Sequence, residues 1–388
     1  SSRPVNPARQ GCAPRSAGDP SVVWRSSSRQ LQPAGRLDCS RACAVTHPRL
    51  HSGMPRLVVP IVTLIALVLG AMAIDRSGAP ADFVFVNRGE VFTLDPQRMS
   101  WMQDFRMASA LYEPLVRWNN DDFTIEPAAA DLPAVSDDRR VYTFRIREDA
   151  RWSDGAPVTA HDYIWSWQRA MLPDTAADYS MMFFAIDGAE EVFRWRAAEL
   201  ASIARAIELG TPPKPAIQLW KETEQRLAEA VGLRAIDDRT LETTITRPVA
   251  YFLDLVAFGI FHPVYRPCVE GWELSESEWS TVRGEGWRAI EPPSFDRRAW
   301  VRLNSNSGRL EQQHEWTKPE RLVCNGPYIL TDWRYRRGMR LELNPAFHSP
   351  DMVRSKSVEI VSIDDSNTAV LAFESGGLDW LSEVETEY

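Results

Sequence analysis

The stretch from Arg147 to Arg169, R-E-D-A-R-W-S-D-G-A-P-V-T-A-H-D-Y-I-W-S-W-Q-R, constrains the fold more tightly than any other part of the chain. Leading into it, Val141 to Arg147 alternates. Tyr142, Phe144 and Ile146 fall on one side and Thr143, Arg145 and Arg147 on the other, as in a strand with one face in a core. Asp154-Gly155 supplies a left-handed backbone position for a turn, and Pro157 stops further ladder pairing. Thr159 then stands where a helix N-cap oxygen belongs, with Asp162 three residues on as the capping-box acid. Tyr163, Ile164, Trp167 and Met171 recur at helical spacing. Strand, tight turn and capped helix are predicted in that order.

Around this stretch β and α patterns alternate. Phe83 to Val86 reads as a strand buried on both faces, and Leu94-Asp95-Pro96 as a turn. Phe105, Ala108, Tyr112 and Leu115 give a helix stripe that Pro114 ends. Two helices over 190–209 and 217–231, joined by Gly210 to Pro215, read as a surface insertion. A strand over Leu241 to Ile245 and an apolar helix over Tyr251 to Ile260 come next, and 270–319 shows no period beyond a charged, Trp-containing loop. Asn325-Gly326-Pro327-Tyr328 then feeds a hairpin about Arg336-Arg337-Gly338, followed by a strand at Val358 to Ile363 and a helix from Thr368. The predicted fold class is α/β with a mixed sheet.

With 44% apolar and 25% charged residues, the chain is globular as a whole. Its first 56 residues are different, with nine Arg against two acids and no apolar period; residues 1–53 read as a disordered leader. Those first 56 residues carry +7 of a total of −9, which leaves −16 on the remainder and excludes a nucleic-acid-binding body. Leu57 to Ile74 contains no charge, follows Arg56 and ends in Ala71-Met72-Ala73, so 54–79 reads as a signal peptide or membrane anchor. Beyond it only Cys268 and Cys324 remain, too few for a disulfide framework.

Catalytic motifs are missing. There is no phosphate-binding G-x-x-x-x-G-K-[ST] and no H-E-x-x-H, and Gly284-Glu285-Gly286 lacks the third glycine of a dinucleotide loop. His47 and His51 have a metal-compatible spacing but sit in the Arg-rich leader, so no metal and no cofactor is expected. Most of the fifteen Trp, including Trp152, Trp165 and Trp167, read as core.

The signature W-S-D-G-A-P-V-T-A-H-D-Y-I-W-S-W-Q-R resembles that of the extracellular solute-binding proteins of family 5, the oligopeptide- and dipeptide-binding receptors of ABC importers. Leu94-Asp95-Pro96, Leu111 to Val116, Ala235 to Glu242 and Asn325 to Tyr328 fall in the family's order. The resemblance implies a class II periplasmic-binding-protein-like fold, with a mixed-sheet first lobe over 80–356 and the start of a second lobe over 357–388, cut short of the family's usual length. It also implies a non-catalytic monomer outside the cytoplasm that encloses an oligopeptide or other small solute between two lobes and presents it to a membrane permease. Carried over position by position, the ligand-binding residues are Ser100, Met102, Tyr179 and Asn325. Ser100 brings no carboxylate to a position where some peptide receptors of the family have one. A rival function is an interaction or sensory module that keeps the lobe without transport.

Expressed with its own leader in a bacterial host, the chain is expected in the periplasmic or membrane fraction. Recovery of the intact chain from the cytosol would contradict this reading.

Overall fold

The computed structural model describes residues 60–67, 80–87, 89–271 and 301–384. The chain divides into two units, residues 1–77 and 78–388. In the first, residues 60–67 are helical and exposed. The leader and the flanks of the apolar run lie outside the described residues, among which no helix is long and apolar enough to cross a membrane.

The second unit begins with β1 (Phe83–Val86), α1 (Met102–Leu111), the ribbon β2 (Val116–Trp118) and β3 (Ile125–Pro127), then β4 (Ala134–Val135) and β5 (Val141–Arg145). After the signature turn come α2 (Ala160–Met171), the helical pair α3 (Ala189–Glu208) and α4 (Ala216–Glu229), and β6 (Leu233–Asp237) with β7 (Thr240–Thr244). Short helices α5 (Phe252–Ala257) and α6 (Arg266–Glu270) precede the hairpin β8 (Val301–Leu303) and β9 (Leu310–Gln312). The chain continues through β10 (Tyr328–Arg334), β11 (Gly338–Leu343), β12 (Ser357–Val361), α7 (Ser366–Glu374) and β13 (Trp380–Leu381).

Two larger sheets result. One is antiparallel in the order β4-β5-β7-β6; the other is mixed, in the order β10-β11-β12-β1-β13, with β1 parallel to both its neighbours. The boundary expected at 356/357 falls inside this second sheet. Ser357–Val361 runs between β11 and β1, Phe83 opposite Val358 and Val86 opposite Val361, so the residues after 356 complete a sheet whose first strand opens the unit.

Local chemistry explains the signature. Gly155 takes φ +91, the Asp154 carboxylate accepts the Ala156 N–H at 2.9 Å, and Trp152 exchanges backbone contacts with Gly155 and Ala156 to close the turn. Asp162 Oδ2 accepts both the N–H of Thr159 (2.8 Å) and its hydroxyl (2.9 Å), which fixes the start of α2, and it accepts the Trp152 indole N–H at 3.3 Å. Burial pushes the Asp162 carboxyl up, against the Thr159 and Trp152 bonds that favour its charge. Tyr163, Trp167 and Met171 are buried as the spacing demands, while Ile164 is half-buried.

Where the structure departs from the pattern, the reason is local. Helix α1 ends at Leu111, because Tyr112 is already extended (φ −128°, ψ 150°) ahead of Pro114; Tyr112 and Leu115 are buried from extended chain rather than from a helix. The hairpin β8–β9 lies in a region that reads only as loop, its strands being too short for a period to show. In the helical insertion, Leu200, Ile203 and Leu219 form a small core of their own, while Ile207 is exposed. Arg196, fully buried, pairs with Asp174 at 2.9 Å and donates to the Gly308 carbonyl at 2.8 Å, pinning the insertion to the body.

Helix α2 is the hub of the unit. Tyr163 donates to the Glu113 carbonyl (3.0 Å), Ser166 accepts the Val264 N–H (2.9 Å), Trp167 donates to the Phe261 carbonyl (2.7 Å), and Arg169 pairs with Asp95 (2.5 Å). Gln97 and Gln312 also take Arg169 N–H bonds. Burial alone would raise the Asp95 carboxyl, but the Arg169 guanidinium, with smaller help from His314 and Arg98, holds it below the usual carboxylate range. Asp95→Ala strands a buried guanidinium and is expected to cost about 3–5 kcal/mol in urea unfolding at neutral pH. Because the folded pKa lies below the unfolded one, the pair contributes fully above about pH 4 and is lost as pH falls through the lowered value. The gap between parent and variant should therefore narrow on acidification.

Candidate functional site

The segment after the Asp95 turn is rooted from below. Asp95 accepts the Gln97 N–H at 3.2 Å, Gln97 reaches the His262 carbonyl at 2.8 Å, and Met99 is fully buried. With Met99 inward, Ser100, Trp101 and Met102 turn outward: Trp101 is 58% and Met102 64% exposed. Trp101 is the N-cap residue of α1, and its carbonyl accepts the Asp104 and Phe105 N–H groups.

A second segment meets this one. Tyr179 packs its half-buried ring on Phe105 and Phe258, with centroids 5.8 and 5.7 Å away, and its hydroxyl lies 3.4 Å from the Ser100 carbonyl. The Ser100 hydroxyl donates to the exposed Asp178 carboxylate. A third segment contributes Phe92, 68% exposed, whose ring centroid lies 6.2 Å from that of Trp101. Beneath them Asp104 is buried and accepts the Phe92 N–H at 2.9 Å; burial pushes its carboxyl up to about 6. The result is a wall with a polar knot of Ser100, Asp178 and Tyr179 beside an apolar rim of Phe92, Trp101 and Met102. Such a wall can accept backbone donors, hold a cation between a carboxylate and aromatic faces, and pack on apolar side chains.

Of the sequence-predicted residues, Ser100, Met102 and Tyr179 come together here. Asn325 does not join them. It is 3% exposed, its Oδ1 accepts the Glu113 N–H at 3.0 Å, and its Nδ2 donates to the Glu113 carbonyl at 3.1 Å. Gly326 follows it because an added Cβ would lie 2.5 Å from the Leu111 backbone. The Glu113 carboxylate in turn holds His348 Nε2 at 2.9 and 3.0 Å. Phe92, Trp101, Asp104 and Asp178 join the wall without being marked by any motif in the sequence. Trp101 carries a signal of a kind, an aromatic in a polar stretch just before a helix start; the contact between Asp178 and Ser100 spans 78 residues and carries none.

Nothing at the wall resembles a catalytic constellation. Among the described residues no group of three or more His, Cys, Asp or Glu is placed to hold a metal. Burial pushes the Cys324 thiol up to about 12, which leaves it inert at neutral pH. A cavity of about 170 Å³ lies elsewhere, between α2 and α4, against Trp165, Arg169 and Trp220.

Residues 124–388 match the family described as bacterial extracellular solute-binding proteins, family 5, middle region. Among curated proteins, the chain is 24% identical over 344 residues to the oligopeptide-binding protein OppA of Bacillus subtilis, covering 85% of this chain and 50% of that protein. It is 27% identical over 339 residues to the periplasmic oligopeptide-binding protein OppA of Escherichia coli, covering 84% and 48%. Among solved structures, Haemophilus influenzae OppA in complex with the peptide RPPGFSPFR superposes with a TM-score of 0.57 at 23% identity, over 79% of this chain and 47% of that one. The substrate-binding domain of an oligopeptide ABC transporter from Bacillus anthracis gives 0.54 at 26% identity, over 76% and 44%. The chain spans about half the length of the curated relatives it matches.

Asn325→Ala strands the buried Glu113 N–H, while Tyr163 still donates to the Glu113 carbonyl, and is expected to cost about 1–3 kcal/mol in denaturant unfolding. Tyr179→Phe, which removes one long hydrogen bond at a half-buried ring, should cost about 0.5 kcal/mol or less. Equal costs would show that Tyr179, too, is built into the fold.

Proposed function

Since the chain belongs to family 5 of the bacterial extracellular solute-binding proteins, we propose that it is the solute-capturing component of an ABC importer, that its solutes are peptides, and that it acts outside the cytoplasm with a membrane permease as partner. The observation that carries this reading is the wall itself. Phe92, Trp101 and Met102 are exposed beside Ser100, Asp178 and Tyr179. An aromatic and methionine rim of this kind has a cost in solubility and suits contact with a partner or ligand. The oligopeptide-binding names of the relatives and the bound peptide of the Haemophilus structure support peptides as the solute class.

On this reading Ser100, Asp178 and Tyr179 meet the polar groups of a peptide, and the Asp178 carboxylate suits an amino group. The exposed rings take its side chains. Capture and release need no bond to be made or broken, so the protein is not an enzyme. Selectivity for the closed state then comes from contacts a solute makes on two walls at once. Residues 57–74 are proposed as the export signal or tether.

One wall alone holds a peptide weakly. Each solvent-exposed hydrogen bond nets about 0.5–1.5 kcal/mol, against the roughly 8 kcal/mol of micromolar affinity. Saturation-transfer NMR with a mixed tripeptide pool at millimolar concentration is therefore the suitable probe. Transfer to peptide side-chain protons is expected, and Trp101→Ala combined with Tyr179→Ala should abolish it. Transfer that persists unchanged in the double variant, or none in the parent, would overturn the reading.

A further inference from the structure

Solute capture as described makes no use of Asp104, yet Asp104 is the most awkwardly placed carboxylate near the wall. It is the third residue of α1, it is fully buried, and its Oδ2 makes no hydrogen bond of ordinary geometry. Oδ1 accepts the Phe92 N–H at 2.9 Å, and the N–H groups of Thr93, Trp101 and Ser100 lie close enough to favour its charged form. Burial works in the opposite direction and raises the carboxyl to about 6.

Helix capping accounts for only part of this. An acid in the first turn favours the helix N-terminus and can reach back to the N-cap N–H, here that of Trp101. Phe92 and Thr93 belong to a different segment, outside the helix and ten or so residues upstream. A cap has no need of them. What the two segments share is the exposed ring pair, Phe92 on one and Trp101 on the other, with centroids 6.2 Å apart.

We propose that Asp104 is a positioning residue that ties the Phe92–Thr93 segment to the Ser100–Trp101 turn and so sets the spacing of the Phe92 and Trp101 rings. The inference rests on the capture reading for its consequence, that this spacing is the grip of the wall on an apolar side chain of the solute. The tie itself is independent of any solute.

The test uses the full chain labelled with 5-fluorotryptophan, with the Trp101 resonance assigned by its loss in Trp101→Phe. In solute-free protein, Asp104→Ala is expected to speed hydrogen exchange at the Phe92 amide by about tenfold or more, the loss of one hydrogen bond. The Trp101 fluorine resonance should move toward its position in Phe92→Ala, while amides of Phe144 and Leu241 in the far sheet keep their protection. Asp104→Asn retains an acceptor oxygen and should restore the Phe92 amide to within about threefold of the parent. Asp104→Glu keeps the charge but displaces it, and should shift the resonance again; this variant decides the matter if the alanine form does not fold. The proposal is overturned if the Ala or Glu variant leaves the Phe92 amide and the Trp101 resonance as in the parent. It is equally overturned if the far-sheet amides lose protection to the same degree. Loss of peptide saturation transfer in the parent would defeat the capture reading and leave these solute-free signals untouched.

Discussion

Much of the unit depends on the buried contact between Arg169 and Asp95. Both side chains are nearly or fully out of water, so each needs the other, and the remaining donors of the guanidinium need Gln97 and Gln312. Four parts of the chain are thereby placed together: the turn at Asp95, helix α2, the hairpin β8–β9, and through Gln97 the backbone of His262. A pair of this kind adds little net stability over a well-packed apolar substitute, but it has few arrangements that satisfy it, and an alternative packing would strand a charge. It also roots Met99, and with Met99 the outward turn that carries Ser100, Trp101 and Met102.

Helix α2 extends the same principle along its length. Tyr163, Ser166 and Trp167 each spend a polar atom on the backbone of another segment, at Glu113, Val264 and Phe261, while their remaining surface fills the core. Each bond satisfies a backbone group that no sheet or helix reaches, so the loops around α2 are held without regular structure of their own. Asn325 does the same for Glu113 from the opposite side. A rigid support of polar clamps beneath a face that leaves Phe92, Trp101 and Met102 in solvent is a sound basis for binding, since ordering costs at the wall have largely been met in folding.

Legibility of the site followed the range of the interaction. The family resemblance, carried over from Leu94-Asp95-Pro96 and from the S-W-Q-R helix, points to Ser100, Met102 and Tyr179, and the structure brings the three together. The same resemblance points to Asn325, which stands apart, because an Asn in a tight turn offers the same signal whether its amide faces a ligand or a backbone. Asp178 and Asp104 gave no signal, since an exposed acid beside a tyrosine and an acid in the first turn of a helix are ordinary until their partners are known.

Sequence by itself determined the local structure wherever the cause lies within a few residues. The Asp154-Gly155 turn, the Thr159–Asp162 cap, the alternation in β5 and the periodicity of α2, α3 and α4 are short-range consequences of φ preference, side-chain capping and hydrophobic spacing. It also determined the α/β class, because alternating periods leave few other layerings. Tertiary structure alone decided that Ser357–Val361 runs beside Phe83–Val86, that Arg169 meets Asp95 across 74 residues, and that Ser100 meets Asp178 across 78. The first two pairings are settled by which buried charges and backbone groups find partners once the whole core closes, and the exposed Ser100–Asp178 contact follows from where that core leaves the two segments; none of the three leaves a periodic trace in the chain.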